Sequence, residues 1–373
     1  MALPTGWIAR ENLDPPTGNP ARAMWANYSA IKLNSGKLII VGGQWILSGS
    51  PYTNLVVNTC QLYDPTTGLW TPTGSLGTGR ANPSVVLLPD GKVLVSGGKS
   101  ATTDGGVAMA SCEVYDPTTE LWTPTGAMGY ARSAHGMVLL ASGLVLAAGR
   151  ETLVSELYDP VAGTWSATTG AMNYPHGLAQ KTLVLLPSGK VLISGDYTNT
   201  VNDARAEEYD PSTGQWDPTG SMAYRRYGHQ LTVLHNGLVL ASQGYGRLGA
   251  GSPSSYLASC ELYNPNTRTW TTIGNTSAGR AYHMAIKLPN NYVLLIGGKS
   301  NVYWGDIDFY DPYDNSFGVM GGVVGGMQIA RPVNMGIEIY AALLDNGEVL
   351  AFAGSGPDIV AFFPSETWLD TGP

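Results

Sequence analysis

Three polar residues stand where a recurring glycine would be expected. An apolar run ends in Gly-Gly at 42–43, 97–98 and 297–298, but the matching pairs elsewhere read Gly149-Arg150, Gly195-Asp196 and Gln243-Gly244. Arg150, Asp196 and Gln243 therefore each replace one glycine of the pair, in three consecutive copies of a unit. Tyr197 follows in one copy, and Tyr245 with Arg247 in another. A guanidinium, a carboxylate and an amide beside phenol rings could hold a polyhydroxylated ligand. Arg150 with Asp196 could also serve as cation and base on a sugar. The same pattern would arise if a wet channel wall no longer required glycine.

The segments after this position vary in length, from a few residues in the third copy to QWILSGSPYTNLVVN in the first and YGRLGAGSPSSYLAS in the fifth. Long loops on a rigid scaffold are where binding groups collect. These bring Trp45, Tyr52, Tyr256, Tyr303 and Trp304 toward one rim. Aromatics among amides and hydroxyls suit a glycan or a protein surface.

Other reactive side chains read as structural. Arg80, Arg132, Arg226 and Arg280 recur at one position, with Arg22 and Arg331 as displaced equivalents. Gln61, Glu113, Glu156, Glu207, Glu261 and Asp308 recur at another. Two matched sets of opposite character bind each other more readily than a substrate. His135, His229 and His283 each lie three residues after a repeating arginine, whereas His176 and His235 stand alone. Cys60, Cys112 and Cys260 share one repeat position, so neither a disulfide nor a metal cluster has the right spacing. No GxSxG, HExxH or Walker-type loop is present.

What positions these residues is a repeat. CQLYDPTTGLW at 60–70 recurs as CEVYDPTTELW, SELYDPVAGTW, AEEYDPSTGQW and CELYNPNTRTW, then in worn form at 308–317 and 361–368. A second motif precedes each copy, as in LPDGKVLVSGG at 88–98. Its Ser-Gly, Asp-Gly or Asn-Gly pair predicts a type I′ hairpin whose second strand is apolar on both faces. The Tyr-Asp-Pro and Trp segments supply a third and a fourth strand. One such sheet cannot bury both faces alone, so neighbours must stack, and seven twisted sheets close most naturally into a ring.

The double-glycine hairpin, Tyr-Asp-Pro and Trp in register resemble the kelch family, especially the kelch propeller of galactose oxidase. The resemblance covers roughly residues 22–370. It implies an all-β fold, a seven-bladed β-propeller of four-stranded antiparallel blades, spanning 22–373. Residues 1–21 are expected to pack at the ring closure, and Trp7-Ile8-Ala9-Arg10 looks like a stray outer strand. Tyr282-His283 is similar to a Tyr-His pair that ligates copper in galactose oxidase, but the cross-linked cysteine and the additional C-terminal domain have no counterpart here. No metal or other cofactor is therefore expected.

Composition narrows the function. Charged residues make up 13 % of the chain, about half the usual share. Net charge is −8 and the 20 basic residues are scattered singly, which argues against nucleic acid as a partner. No apolar run reaches the ~18 residues of a spanning helix, and no secretory leader is visible, so membrane insertion is not expected. The expected function is non-catalytic binding or adhesion. A glycan or protein surface would be held by Trp45, Arg150, Asp196, Tyr197, Gln243, Tyr245, Arg247 and Trp304 on the loop-bearing face. A low-lysine, Thr/Ser/Asn/Gly-rich composition without an export signal also fits a phage virion or tail appendage contacting other virion proteins, although a cytoplasmic location is compatible too. The alternative is a sugar-acting enzyme, a mutarotase or lyase, working at the channel mouth.

Overall fold

The computed structural model describes residues 6–9, 23–47, 53–100, 106–150, 152–177, 180, 182–196, 204–247, 253–300, 307–320, 339–353 and 359–363. All regular elements among them are strands, apart from a 3₁₀ position at Gln180.

Each unit opens with a hairpin such as Ser29–Lys32 with Leu38–Val41. Its turn differs from the expected type I′. Leu33 N–H donates to Lys37 O at 2.8 Å and Gly36 N–H to Leu33 O at 3.0 Å. Gly36 lies at φ +80°, whereas Asn34 and Ser35 keep ordinary negative φ. An ordinary turn followed by one left-handed residue closes these hairpins, so a single glycine suffices where I′ would need two permissive positions. Asn291, at φ +70°, takes that place in the sixth unit.

Second strands such as Val93–Ser96, Val191–Ser194 and Val239–Ser242 are buried along their whole length. Third and fourth strands pair so that the motif tyrosine faces the motif tryptophan, as in Tyr63–Trp70 and Tyr263–Trp270. Their rings lie 5.1 and 4.9 Å apart in tilted contact. Tyrosine hydroxyls then reach the preceding sheet: Tyr115 Oη meets Thr73 Oγ1 at 2.7 Å and Tyr158 Oη meets Thr125 Oγ1 at 2.8 Å.

Among the described residues seven four-stranded antiparallel sheets result. Their first strands touch in succession: Ser29–Lys32, Ser84–Leu87, Gly136–Leu139, Leu183–Leu185, Gln230–Val233, Met284–Lys287, Ile339–Leu343, and back to Ser29–Lys32. The ring is closed, and apolar side chains fill the spaces between adjacent sheets.

Closure is made by the two ends of the chain. Strand Gly6–Ala9 is the outermost strand of the seventh sheet, beside Ile359–Phe363. Trp7 pairs with Phe362 at the register that Trp70 and Tyr63 occupy in the first. The fourth strand of the last unit therefore comes from the N-terminus, and Trp368 lies outside the described residues.

Two loops that the sequence presents as irregular form small accessory sheets. One comprises Ala23–Ala26, Gln44–Leu47 and Thr53–Val56; the other comprises Arg225–Tyr227, Tyr245–Arg247 and Ser255–Tyr256.

Candidate functional site

The loops between second and third strands, and those joining one blade to the next, share one face of the ring. The recurring arginines and carboxylates lie beneath it. Arg80, fully buried, donates from Nη1 to Gly97 O at 2.9 Å and Ser111 O at 2.8 Å, and from Nη2 to Glu113 Oε1 at 2.8 Å. Glu113 also accepts Gly77 N–H at 2.7 Å, which ties the incoming loop to the blade. Arg132–Glu156 and Arg226–Glu261 repeat the arrangement at 2.9 and 2.7 Å, and Arg280 pairs with Asp308. The two sets consume each other, so none of these arginines faces a ligand. Arg22 and Arg331 lie outside the described residues.

The double glycine is explained by the same junction. Gly97 has φ +61°, and a Cβ there would lie 2.3 Å from Arg132 O of the next blade. In this blade a side chain would clash with that carbonyl, which glycine avoids.

His135, His229 and His283 each bond through Nε2 to a serine of the preceding blade: Ser96 at 2.8 Å, Ser194 at 3.0 Å and Ser242 at 2.7 Å. Burial, with the Arg132 charge as a second cause, pushes the His135 imidazolium down to about 3. His229 is driven well below its ordinary range, first by burial and then by Arg226. Both are neutral structural groups near neutral pH. The three cysteines are buried and free, and burial raises the Cys60 and Cys260 thiols to about 12.

The fourth blade departs from this plan in a way that its sequence hides. His176 takes the arginine position, with Nδ1 2.8 Å from Gly195 O and Nε2 3.2 Å from Glu207 Oε1. The connection from it to the inner strand is longer than that from Arg226 to its strand. Gln180 of this longer connection donates across the axis to Pro83 O of the second blade at 2.6 Å. The axis holds a cavity of about 280 Å³ lined by all seven inner strands, with Ser84, His135, Gln180, Gln230, Met284 and Tyr340 on its wall.

The expected patch of Arg150, Asp196 and Gln243 is not an open one. Asp196 is 2 % exposed and its Oδ1 accepts Gly177 N–H at 3.0 Å, supporting the base of the longer connection. Gln243 is fully buried, its Nε2 donating to Thr276 Oγ1 at 2.8 Å and Ala278 O at 3.0 Å. It sits at φ +51°, and its carbonyl accepts Arg226 Nη1 at 2.7 Å, doing the backbone work of glycine while its amide holds the sixth blade. Arg150, half-buried at φ +54°, donates its N–H to His176 O. Trp45 is also enclosed rather than presented at the rim. Its accessory strand folds it onto Tyr28, Val57 and Tyr340 with 3 % exposure. Tyr52, Tyr197, Tyr303 and Trp304 lie outside the described residues.

Tyr245 and Arg247 are the predicted residues that the structure does gather. In the accessory sheet of the fifth blade, Tyr245 pairs with Tyr227 and with Tyr256, and Arg247 pairs with Arg225. The Tyr245 ring lies 5.4 Å from Tyr227 and 5.0 Å edge-on from Tyr256. Tyr282 approaches Tyr227 edge-on at 6.3 Å and lies over Gly228. All four rings and both guanidinium-bearing residues are half-buried. Alternation along a strand puts Arg225, Tyr227, Tyr245 and Arg247 on one face and buried Arg226 on the other. Arg225 and Tyr227 escape the repeat-based reading. Their signal was the mirrored order Arg-x-Tyr at 225–227 and Tyr-x-Arg at 245–247.

A ring of seven four-stranded meanders, locked by buried Arg–carboxylate pairs under a double-glycine loop, defines a kelch-type β-propeller. A family model described as Kelch motif matches residues 80–129, which is the second blade with its incoming loop. Kelch-like protein 21 of Homo sapiens is 28 % identical over 167 residues, covering 44 % of this chain and 26 % of that protein. Kelch-like protein 15 of Danio rerio is 27 % identical over 191 residues, covering 46 % and 31 %. The chain thus spans about a quarter to a third of the length of these curated relatives. Among solved structures, a fungal alcohol oxidase of the AA5 family in complex with copper superposes with TM-score 0.70 at 16 % identity, over 98 % of this chain and 76 % of that one. The structure of YjhT superposes with TM-score 0.57 at 16 % identity, over 80 % and 98 %. At that identity the likeness concerns the fold.

The residues present do not fit the copper of the first of these. His283 is fully buried with Nε2 engaged by Ser242, and the Tyr282 ring packs on Gly228 and Tyr227. Among the described residues no three His, Cys, Asp or Glu side chains converge on a metal-sized site.

Proposed function

We propose that the chain is a non-catalytic binding propeller that recognises a glycan or protein surface through its loop-bearing face, at the accessory sheet of the fifth blade. One observation carries this reading: four half-buried tyrosines form one cluster, Tyr227, Tyr245 and Tyr256 on a three-stranded platform and Tyr282 packed edge-on against it. Tyrosine offers large contact area at low entropic cost, with a hydroxyl for orientation. The kelch motif match and the similarity to Kelch-like proteins support interaction as the general role. Exposure at the outside of a virion belongs to this reading as one setting in which a propeller could act as an adhesin.

The test is capture on a glycan array, with a panel of candidate protein partners in parallel. Wild type should bind a restricted set. The double variant Tyr245→Ala/Tyr256→Ala should lose it, while Val161→Ser, at a 96 % exposed turn on the opposite face, should keep it. Binding that survives the tyrosine variant and fails with Val161→Ser would overturn the placement.

The sugar-acting enzyme remains the second reading, with Arg150 and Asp196 as its groups. The hydrogen bond from Gly177 N–H to buried Asp196 favours passive binding instead. Anomer exchange or elimination, followed by NMR across a sugar panel and abolished by Asp196→Asn, would reverse that preference.

A further inference from the structure

We propose that the accessory sheet of the fifth blade is a receptor site for an anionic glycan, one whose sugar carries a carboxylate or a sulfate. This rests on the loop face being the binding face and adds the charge of the ligand. Arg225 and Arg247 are directly opposed across two paired strands, on the face that also carries Tyr227 and Tyr245. Like charges so placed repel and destabilise a strand pair. Among the described residues neither arginine has an acidic partner, and Arg247 Nε is shielded from solvent without an acceptor. This contrasts with the buried arginines at the blade junctions, each of which is matched to its own carboxylate. The chain carries a net charge of −8. Two unmatched guanidinium groups side by side in so acidic a chain, rimmed by phenol rings, make a preformed cradle for one oxoanion.

Guanidinium groups bind planar carboxylates and sulfates through paired N–H donors. The tyrosine rings beside them offer flat surfaces for the C–H face of a sugar and hydroxyls for its rim. A glycan uses both halves of the site at once. An acidic peptide would use the arginines and leave most of the tyrosine surface without a matched partner.

The experiment is isothermal titration of the full chain with four probes: an oligogalacturonide, a heparin-derived oligosaccharide, neutral maltotetraose and poly-L-glutamate. One of the two anionic glycans should bind, with the carboxylated and sulfated arms telling the sources apart, and maltotetraose should bind at least tenfold more weakly. Arg225→Gln and Arg247→Gln should each weaken binding at least tenfold. Their melting temperatures should equal or exceed wild type, since each relieves a repulsion, so lost binding cannot be ascribed to misfolding. The proposal is overturned if no probe binds, if maltotetraose binds as well as the anionic glycans, if poly-L-glutamate binds more tightly than either, or if both arginine variants bind like wild type. Unchanged arginine variants together with loss in Tyr245→Ala/Tyr256→Ala would remove only the anion; loss in neither would remove the binding face as well.

Discussion

His176 Nε2 lies 3.2 Å from Glu207 Oε1 while its Nδ1 lies 2.8 Å from Gly195 O, so one imidazole spans the two groups that a guanidinium spans in other blades. Both partners are acceptors, and both bonds form only when each ring nitrogen carries a proton. Burial works to raise the Glu207 carboxyl, but the hydrogen bonds from His176 and Asn173 outweigh it and hold the group below its ordinary value. An arginine here would donate to both acceptors at any pH. A guanidinium carries its donors permanently, so His176→Arg should raise stability by about 1 kcal/mol, the scale of one net hydrogen bond. Urea denaturation measures it, and a destabilised variant would show that the longer connection of this blade leaves no room for the guanidinium.

His135 gives a second prediction. In the folded chain it takes up a proton only near 3, against about 6.5 when unfolded, so the unfolded state binds more protons between these values. Stability should fall as pH drops from about 6.5 toward 3, and buried His229, shifted the same way, adds to the slope. Each such histidine contributes at most about 1.4 kcal/mol per pH unit. Denaturation midpoints at intervals from pH 7.5 to 4 would show it. His135→Gln should flatten the curve, and an unaltered slope would mean that the ring is not held neutral.

Closure by Gly6–Ala9 is open to a direct check. Removing residues 1–10 deletes the outer strand of the seventh blade and the ladder to Ile359–Phe363. Four paired residues suggest a loss of about 2–4 kcal/mol at roughly 1 kcal/mol per net hydrogen bond. Amides of 359–363 that face the deleted strand should lose their hydrogen-exchange protection while those of Val191–Ser194 keep theirs. Equal protection in both chains would contradict this route of closure.

The repeat was legible because a four-stranded unit writes its burial twice, as an apolar second strand and as a Tyr–Trp pair, and both recur in register. The accessory sheets were hidden because strands as short as Ser255–Tyr256 carry too few alternations to be seen. Trp45 was misplaced for a similar reason: a tryptophan in a long loop looks presented, yet a four-residue pairing partner is enough to turn it inward. His176 was missed because blade four changes residue type and connection length together. Gln243 and Asp196 looked chemical because they are polar at a glycine position, but their side chains are consumed by Thr276 and Gly177. Tyr245 and Arg247 were found through that position, and their partners Arg225 and Tyr227 only through strand register.

Hydroxyl-radical footprinting of tyrosines, with whichever of the oligogalacturonide and the heparin-derived oligosaccharide binds present at saturation, tests the binding face most directly. Protection should be confined to Tyr227, Tyr245, Tyr256 and Tyr282, leaving Tyr313, 42 % exposed on the opposite face, as reactive as in the free chain. Protection of Tyr313 with the four unchanged, or no protection of any tyrosine, would contradict the account.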